Sequence, residues 1–99
     1  MNFTRTDQGE ATTLRIEGSL DAISTPELRA VIDALVKDKR KTISVDLSAL
    51  RLIDSSGVGV LVSLYKRARS YSGKVSVTGL RDQPLAIFKL LRLDKVLVG

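Results

Sequence analysis

The chain has 99 residues, 43% of them hydrophobic, and a formal net charge of +5, proportions that suit one small domain with a modest core. It contains no cysteine and no histidine, which excludes disulfides, thiolate or imidazole metal sites, serine–histidine triads and histidine proton shuttles. No window approaches the ~20 apolar residues of a membrane span, and Met1–Arg5 lacks the basic stretch and apolar run of a secretory signal, so the expectation is a soluble, cytoplasmic protein without direct membrane insertion.

Thr12, Leu14, Ile16 and Gly18 alternate with Thr13, Arg15 and Glu17, which predicts a strand over 12–18. A weaker partner at 3–6 and a turn around Asp7-Gln8-Gly9-Glu10 complete a hairpin. Ser24-Thr25-Pro26-Glu27 marks a helix start: Thr25 can cap, Pro26 fits the first helical position, and Glu27 suits the positive end of the dipole. Leu28, Val31, Ile32, Leu35 and Val36 then form one apolar face, ending near Lys37–Arg40. Thr42–Leu47 is β-branched and short, a strand expected at the centre of the sheet.

After a connection, Val58, Leu61, Val62 and Tyr65 mark a second helix, widened by Val60 and Leu64, with Gly73 placed to end it. Lys74–Thr78 alternates as a strand. Asp82-Gln83-Pro84 opens a third helix with Ile87, Phe88 and Leu91 inward. Leu93 and Val96-Leu97-Val98 close the chain as an edge strand. The order β-β-α-β-α-β-α-β calls for an α/β fold, with a mixed, mostly parallel sheet of about five strands covered by helices.

Two basic clusters, Lys37–Lys41 and Lys66–Arg69, suggest nucleic acid at first. Each falls where a helix ends, the place cations suit, and the 4% of aromatic residues is too few for a base-stacking surface. No nucleic-acid partner is expected.

The informative segment is Ser48–Gly57. Its last four residues, Asp54-Ser55-Ser56-Gly57, put an acid, two hydroxyls and a glycine where a helix begins. Taken singly, each hydroxyl and Asp54 is a capping residue, and Gly57 and Gly59 would let the helix lie close to the sheet. The sharper reading makes the hydroxyls modification sites, since a phosphate there meets the helix dipole favourably. Gly57-Val58-Gly59-Val60-Leu61-Val62 lacks the third glycine of a dinucleotide fingerprint, and no lysine follows in P-loop spacing. Neither serine sits in a nucleophile elbow or has a histidine base. No enzyme and no cofactor are expected.

Val45-Asp46-Leu47 through Asp54-Ser55-Ser56-Gly57-Val58-Gly59-Val60-Leu61 resembles the signature of STAS domains, specifically bacterial anti-sigma factor antagonists. Gly18-Ser19-Leu20-Asp21, the Val75–Gly79 strand and the segment leading to Leu93-Asp94-Lys95-Val96 agree, so the resemblance spans 1–99 as one STAS domain. It implies that Ser55, with Ser56 as the alternative, is phosphorylated by a partner that is both anti-sigma factor and GHKL-type serine kinase. The unphosphorylated form would bind that partner and free a sigma factor, and a PP2C-type phosphatase would reset the switch. Asp21, Asp54, Ser55, Ser56, Gly57, Val58 and Leu61 are the expected partner-binding residues; Leu52, Val58 and Leu61 are open to either core or contact. The resemblance also implies a final helix beyond Val98, where this sequence stops at Gly99. Either the natural protein is short, leaving an apolar patch or last strand less protected, or the sequence is trimmed; a weak homodimer is one outcome. The alternative function is an accessory STAS subunit of a membrane lipid-transport ATPase complex.

Overall fold

The hairpin follows from the alternating pattern but runs further than the pattern marks. In the computed structural model, which describes residues 2–97, β1 covers Asn2–Gln8 and β2 covers Ala11–Leu20. They pair antiparallel from Asn2 opposite Glu17 to Gln8 opposite Ala11. Thr12, Leu14, Ile16 and Leu20 of β2 are buried, the in-out alternation of a half-covered sheet. Buried Thr12 is satisfied: its hydroxyl donates to Asp7 and accepts from the Arg40 guanidinium, which also holds the carbonyls of Gly9 and Ala11. A cation of the first basic cluster is thus a clamp on the hairpin.

Helix α1, Thr25–Lys37, and helix α2, Ser55–Arg69, pack on one another and are tied at the surface by Arg67 to Asp33, 2.7 Å. Strand β3, Thr42–Asp46, and strand β5, Lys74–Thr78, pair parallel, and β3 pairs parallel with β2. The main order is β1-β2-β3-β5, with β3 internal as expected. Leu28, Ile32, Leu35, Ile43, Val45, Leu61 and Leu64 belong to one contiguous core.

The structure corrects several expectations. A further strand, β4, covers Leu50–Ile53 inside the stretch read as a connection; it pairs parallel with Gly18–Leu20 of β2 after a register shift at Gly18/Ser19. It is the fifth strand of the sheet, in place of the expected C-terminal one. Helix α3, Asp82–Leu90, buries Phe88 and half-buries Ile87, but Leu91 is 51% exposed because the helix ends before it. The left-handed Arg92 then turns the chain into a 3-10 helix at Leu93–Lys95, so Val96–Leu97 form a turn and no edge strand. Leu97 touches β5 at one point, accepting a 2.6 Å hydrogen bond from Val77 N–H; Val98 lies outside the described residues. Gly73 is not the left-handed residue after α2. Ser72 takes that conformation, and Gly73 is required because a Cβ would meet Tyr71 at 2.8 Å.

Candidate functional site: the turn between β4 and α2

The site is built where two strands end side by side. Asp54 N–H donates to the Leu20 carbonyl at 3.1 Å, so the end of β4 is laced to the end of β2, and Asp54 and Asp21 come to one place. With Ser19, Leu20, Leu52, Ile53 and Gln83 they line a cleft of about 310 Å³.

Asp54 is the N-cap of α2. Its backbone is extended, and its Oδ1 accepts from Gly57 N–H at 3.1 Å and from the Ser56 hydroxyl at 2.6 Å. These bonds, Ser56 first, hold the Asp54 carboxyl below the usual carboxylate range, so it is an anion at neutral pH. The two serines are thereby distinguished. Ser56 is half-buried and committed to Asp54, while Ser55 is exposed on the first helical residue. Among the described residues no hydrogen bond holds the Ser55 hydroxyl.

Gly57 sits where α2 meets the sheet. A Cβ there would lie 2.8 Å from Leu20 Cγ, 2.9 Å from Ile53 Cγ1 and 2.9 Å from the Leu20 carbonyl oxygen. Gly59, expected to serve the same close approach, is exposed with nothing within 4 Å of such a Cβ. It lies on the solvent side of the same turn.

The loop after β2 has its own anchor. Asp21 Oδ1 accepts from the N–H groups of Ile23 and Ser24, and the Ser24 hydroxyl donates to the Ser19 carbonyl. Thr25, expected to cap α1, is instead its first residue and is buried. Pro26 consequently occupies the second position, not the first.

Of the apolar residues left open between core and contact, Val58 is 6% and Leu61 1% exposed, so they support the turn from within. Leu52 is 55% exposed beside the cleft. Ile23, which the sequence reading passed over, is 90% exposed on the Asp21 loop. An isoleucine inside Asp21-Ala22-Ile23-Ser24-Thr25, off any apolar face, was the available signal. The open site therefore offers two aliphatic side chains, two carboxylates and the exposed Ser55 hydroxyl. Among the described residues no group of three or more Asp or Glu could hold a metal ion, and no helix is long and apolar enough to cross a membrane.

The family model described as Mlab, STAS domain, matches residues 3–99. The chain belongs to the STAS family. A relative of this STAS domain, the anti-sigma-B factor antagonist of Staphylococcus aureus, is 25% identical over 97 residues, covering 98% of this chain and 90% of the relative. Among solved structures, an anti-sigma factor antagonist from Mycobacterium paratuberculosis superposes with a TM-score of 0.87 at 24% identity, covering 97% of this chain and 81% of that one. The Bacillus cell fate determinant SpoIIAA in its phosphorylated form superposes with a TM-score of 0.73 at 23% identity, covering 98% and 89%. These likenesses show a common α/β fold, with its five-stranded mixed sheet and three helices.

Proposed function

We propose that this STAS domain is an anti-sigma factor antagonist switched by phosphorylation of Ser55. The unphosphorylated turn binds an anti-sigma factor that is also a GHKL-type serine kinase, and so frees a sigma factor. Phosphorylation ends the binding, and a PP2C-type phosphatase restores it. The domain is the kinase's substrate and carries no catalytic group of its own, and the cytoplasm is the compartment this role needs.

The observation that carries the reading is the division of labour in the turn. Asp54 and Ser56 spend their oxygens on each other and on Gly57, leaving Ser55 the exposed, uncommitted hydroxyl. A neutral hydroxyl there can be covered by a partner at small cost. A phosphate adds up to about two negative charges beside the ionised Asp54, and covering that anion without matched cations is penalised heavily. The helix start tolerates the phosphate, so the modification changes the surface and leaves the fold. Ile23 and Leu52 supply the apolar contact, and Asp21 and Asp54 face the partner's cations, with Gly57, Val58 and Leu61 holding the turn in shape.

The test is a pull-down with wild type, Ser55→Ala and Ser55→Asp, with mass spectrometry of the wild type. A soluble serine kinase retained by wild type and Ser55→Ala but lost by Ser55→Asp, with the phosphate on Ser55, is the expected result. Equal retention by all three, or phosphate on Ser56, overturns the assignment. Recovery of a membrane-embedded ATPase complex without a kinase replaces it with the accessory-subunit reading.

A further inference from the structure

Strand β4 pairs with β2 along one edge and ends one residue before the cap of α2. Backbone groups on the other edge of so short a strand need partners. At Ile53 both are met by a single side chain: Ile53 N–H donates to Gln83 Oε1 at 2.9 Å, and Gln83 Nε2 donates to the Ile53 carbonyl at 2.9 Å. Gln83 stands in the first turn of α3, thirty residues away, and its primary amide takes the place of a neighbouring strand.

We propose that Gln83 is a positioning residue for the acceptor turn, the means by which α3 sets how Ser55 is presented. The proposal rests on the reading of Ser55 as acceptor. The path is short. Gln83 fixes the backbone of Ile53, whose side chain is 3% exposed and lies against the Cα side of Gly57. Ile53 is followed directly by Asp54, whose carboxylate holds Gly57 and Ser56. Ser55 is carried between these fixed points at the start of α2, with no side-chain hydrogen bond of its own among the described residues.

The chemistry of the contact is selective. An amide offers one donor and one acceptor side by side, matching a strand's N–H and C=O. A carboxylate offers two acceptors and repels the Ile53 carbonyl, whereas a protonated carboxyl again offers a donor and an acceptor. The acids sharing the cleft with this position are Asp21 and Asp54; Asp82 and Arg81 flank it on its own element. The two cleft acids favour protonation of a carboxyl introduced there.

The experiment uses the full chain as wild type, Gln83→Leu and Gln83→Glu, with Gly57 amide exchange followed by NMR at pH 7.5 and pH 5. Each value is taken relative to wild type at the same pH, and the Val45 amide reports global stability. Gln83→Leu is expected to speed Gly57 exchange about tenfold at both pH values, as loss of a hydrogen bond or two allows. Gln83→Glu is expected to do so at pH 7.5 and to return towards wild type at pH 5, where Asp54 itself is still ionised. With the kinase recovered in the pull-down, Gln83→Leu is expected to lower kcat for phosphorylation more than it changes KM. Unchanged Gly57 exchange in a folded Gln83→Leu chain, or a Gln83→Glu effect equal at both pH values, overturns the role. The exchange data need no kinase, so they judge Gln83 even where the Ser55 reading itself fails.

Discussion

Replacing Gly57 by alanine adds one methyl group at the point where α2 comes closest to the sheet. Two of the three atoms it would meet at 2.8–2.9 Å are side-chain carbons of Leu20 and Ile53, and the third is the Leu20 carbonyl oxygen. That carbonyl cannot give way easily, because it accepts the hydrogen bond from Asp54 N–H that joins β4 to β2. Overpacking of this kind costs about 1–3 kcal/mol, and the fixed carbonyl places this case towards the upper end. Alanine in place of glycine in a helix returns up to about 1 kcal/mol. The net expectation is a loss of about 2 kcal/mol, or some 8–16 °C in Tm for a domain of this size. Gly59→Ala, two residues along the same helix with open space at its Cβ, is expected to gain a few tenths to about 1 kcal/mol. Urea unfolding of both variants against wild type, with the slope of the transition checked for constancy, separates the two effects. A Gly57→Ala chain as stable as wild type, or a Gly59→Ala chain destabilised equally, refutes the close-approach argument.

Two other outcomes concern the site and a third the hairpin. Leu61→Ala is expected to cost about 2–5 kcal/mol in urea unfolding, while Leu52→Ala stays within about 0.5 kcal/mol yet weakens capture of the partner in the pull-down. The Asp54 carboxyl is held below its ordinary range by Ser56 and Gly57, so its contribution is present at neutral pH and is lost as the pH falls through its folded-state value, below about pH 4. Asp54→Asn keeps an acceptor but does not titrate; its deficit relative to wild type in urea midpoint is expected to shrink from pH 7 to pH 2.5, and a constant deficit contradicts the assignment. Arg40→Ala removes three hydrogen bonds to the β1–β2 hairpin, and is expected to speed exchange of hairpin amides before those of α2.

The elements that declare themselves by repetition were legible: the alternation in β2 and the apolar faces of α1 and α2 are local properties of the chain. Strand β4 was not. Its four residues run buried, exposed, exposed, buried, so no alternation marks it, and its pairing with β2 joins residues as far apart in the chain as Gly18 and Leu50 or Leu20 and Ile53. Within the turn, residue types pointed to a candidate site but not to the division of hydrogen bonds within it. Asp54 and Ser55 are both capping residues, and only the start of the helical register gives the cap to Asp54. Gly57 and Gly59 look alike in sequence, and only the direction each faces on α2 separates the one against the sheet from the one in solvent. The final segment misled because Val96-Leu97-Val98 has strand composition, while the left-handed turn at Arg92 depends on the packing of α3. Gln83 gave no sign at all, since an amide that substitutes for a strand is visible only once both elements are placed.

The register shift in β2 has a mechanical consequence. Beyond Arg15 the strand leaves β3 behind, and it meets β4 through only three residue pairs, while the β1-β2-β3-β5 ladder runs on five or more pairs at every step. With so few pairs, the β4 turn is expected to open at a free energy below that of global unfolding, and amide exchange at Asp54 faster than at Val45 would show it. Under the proposed function, such local opening would let a kinase take up Ser55 while the rest of the sheet stays closed.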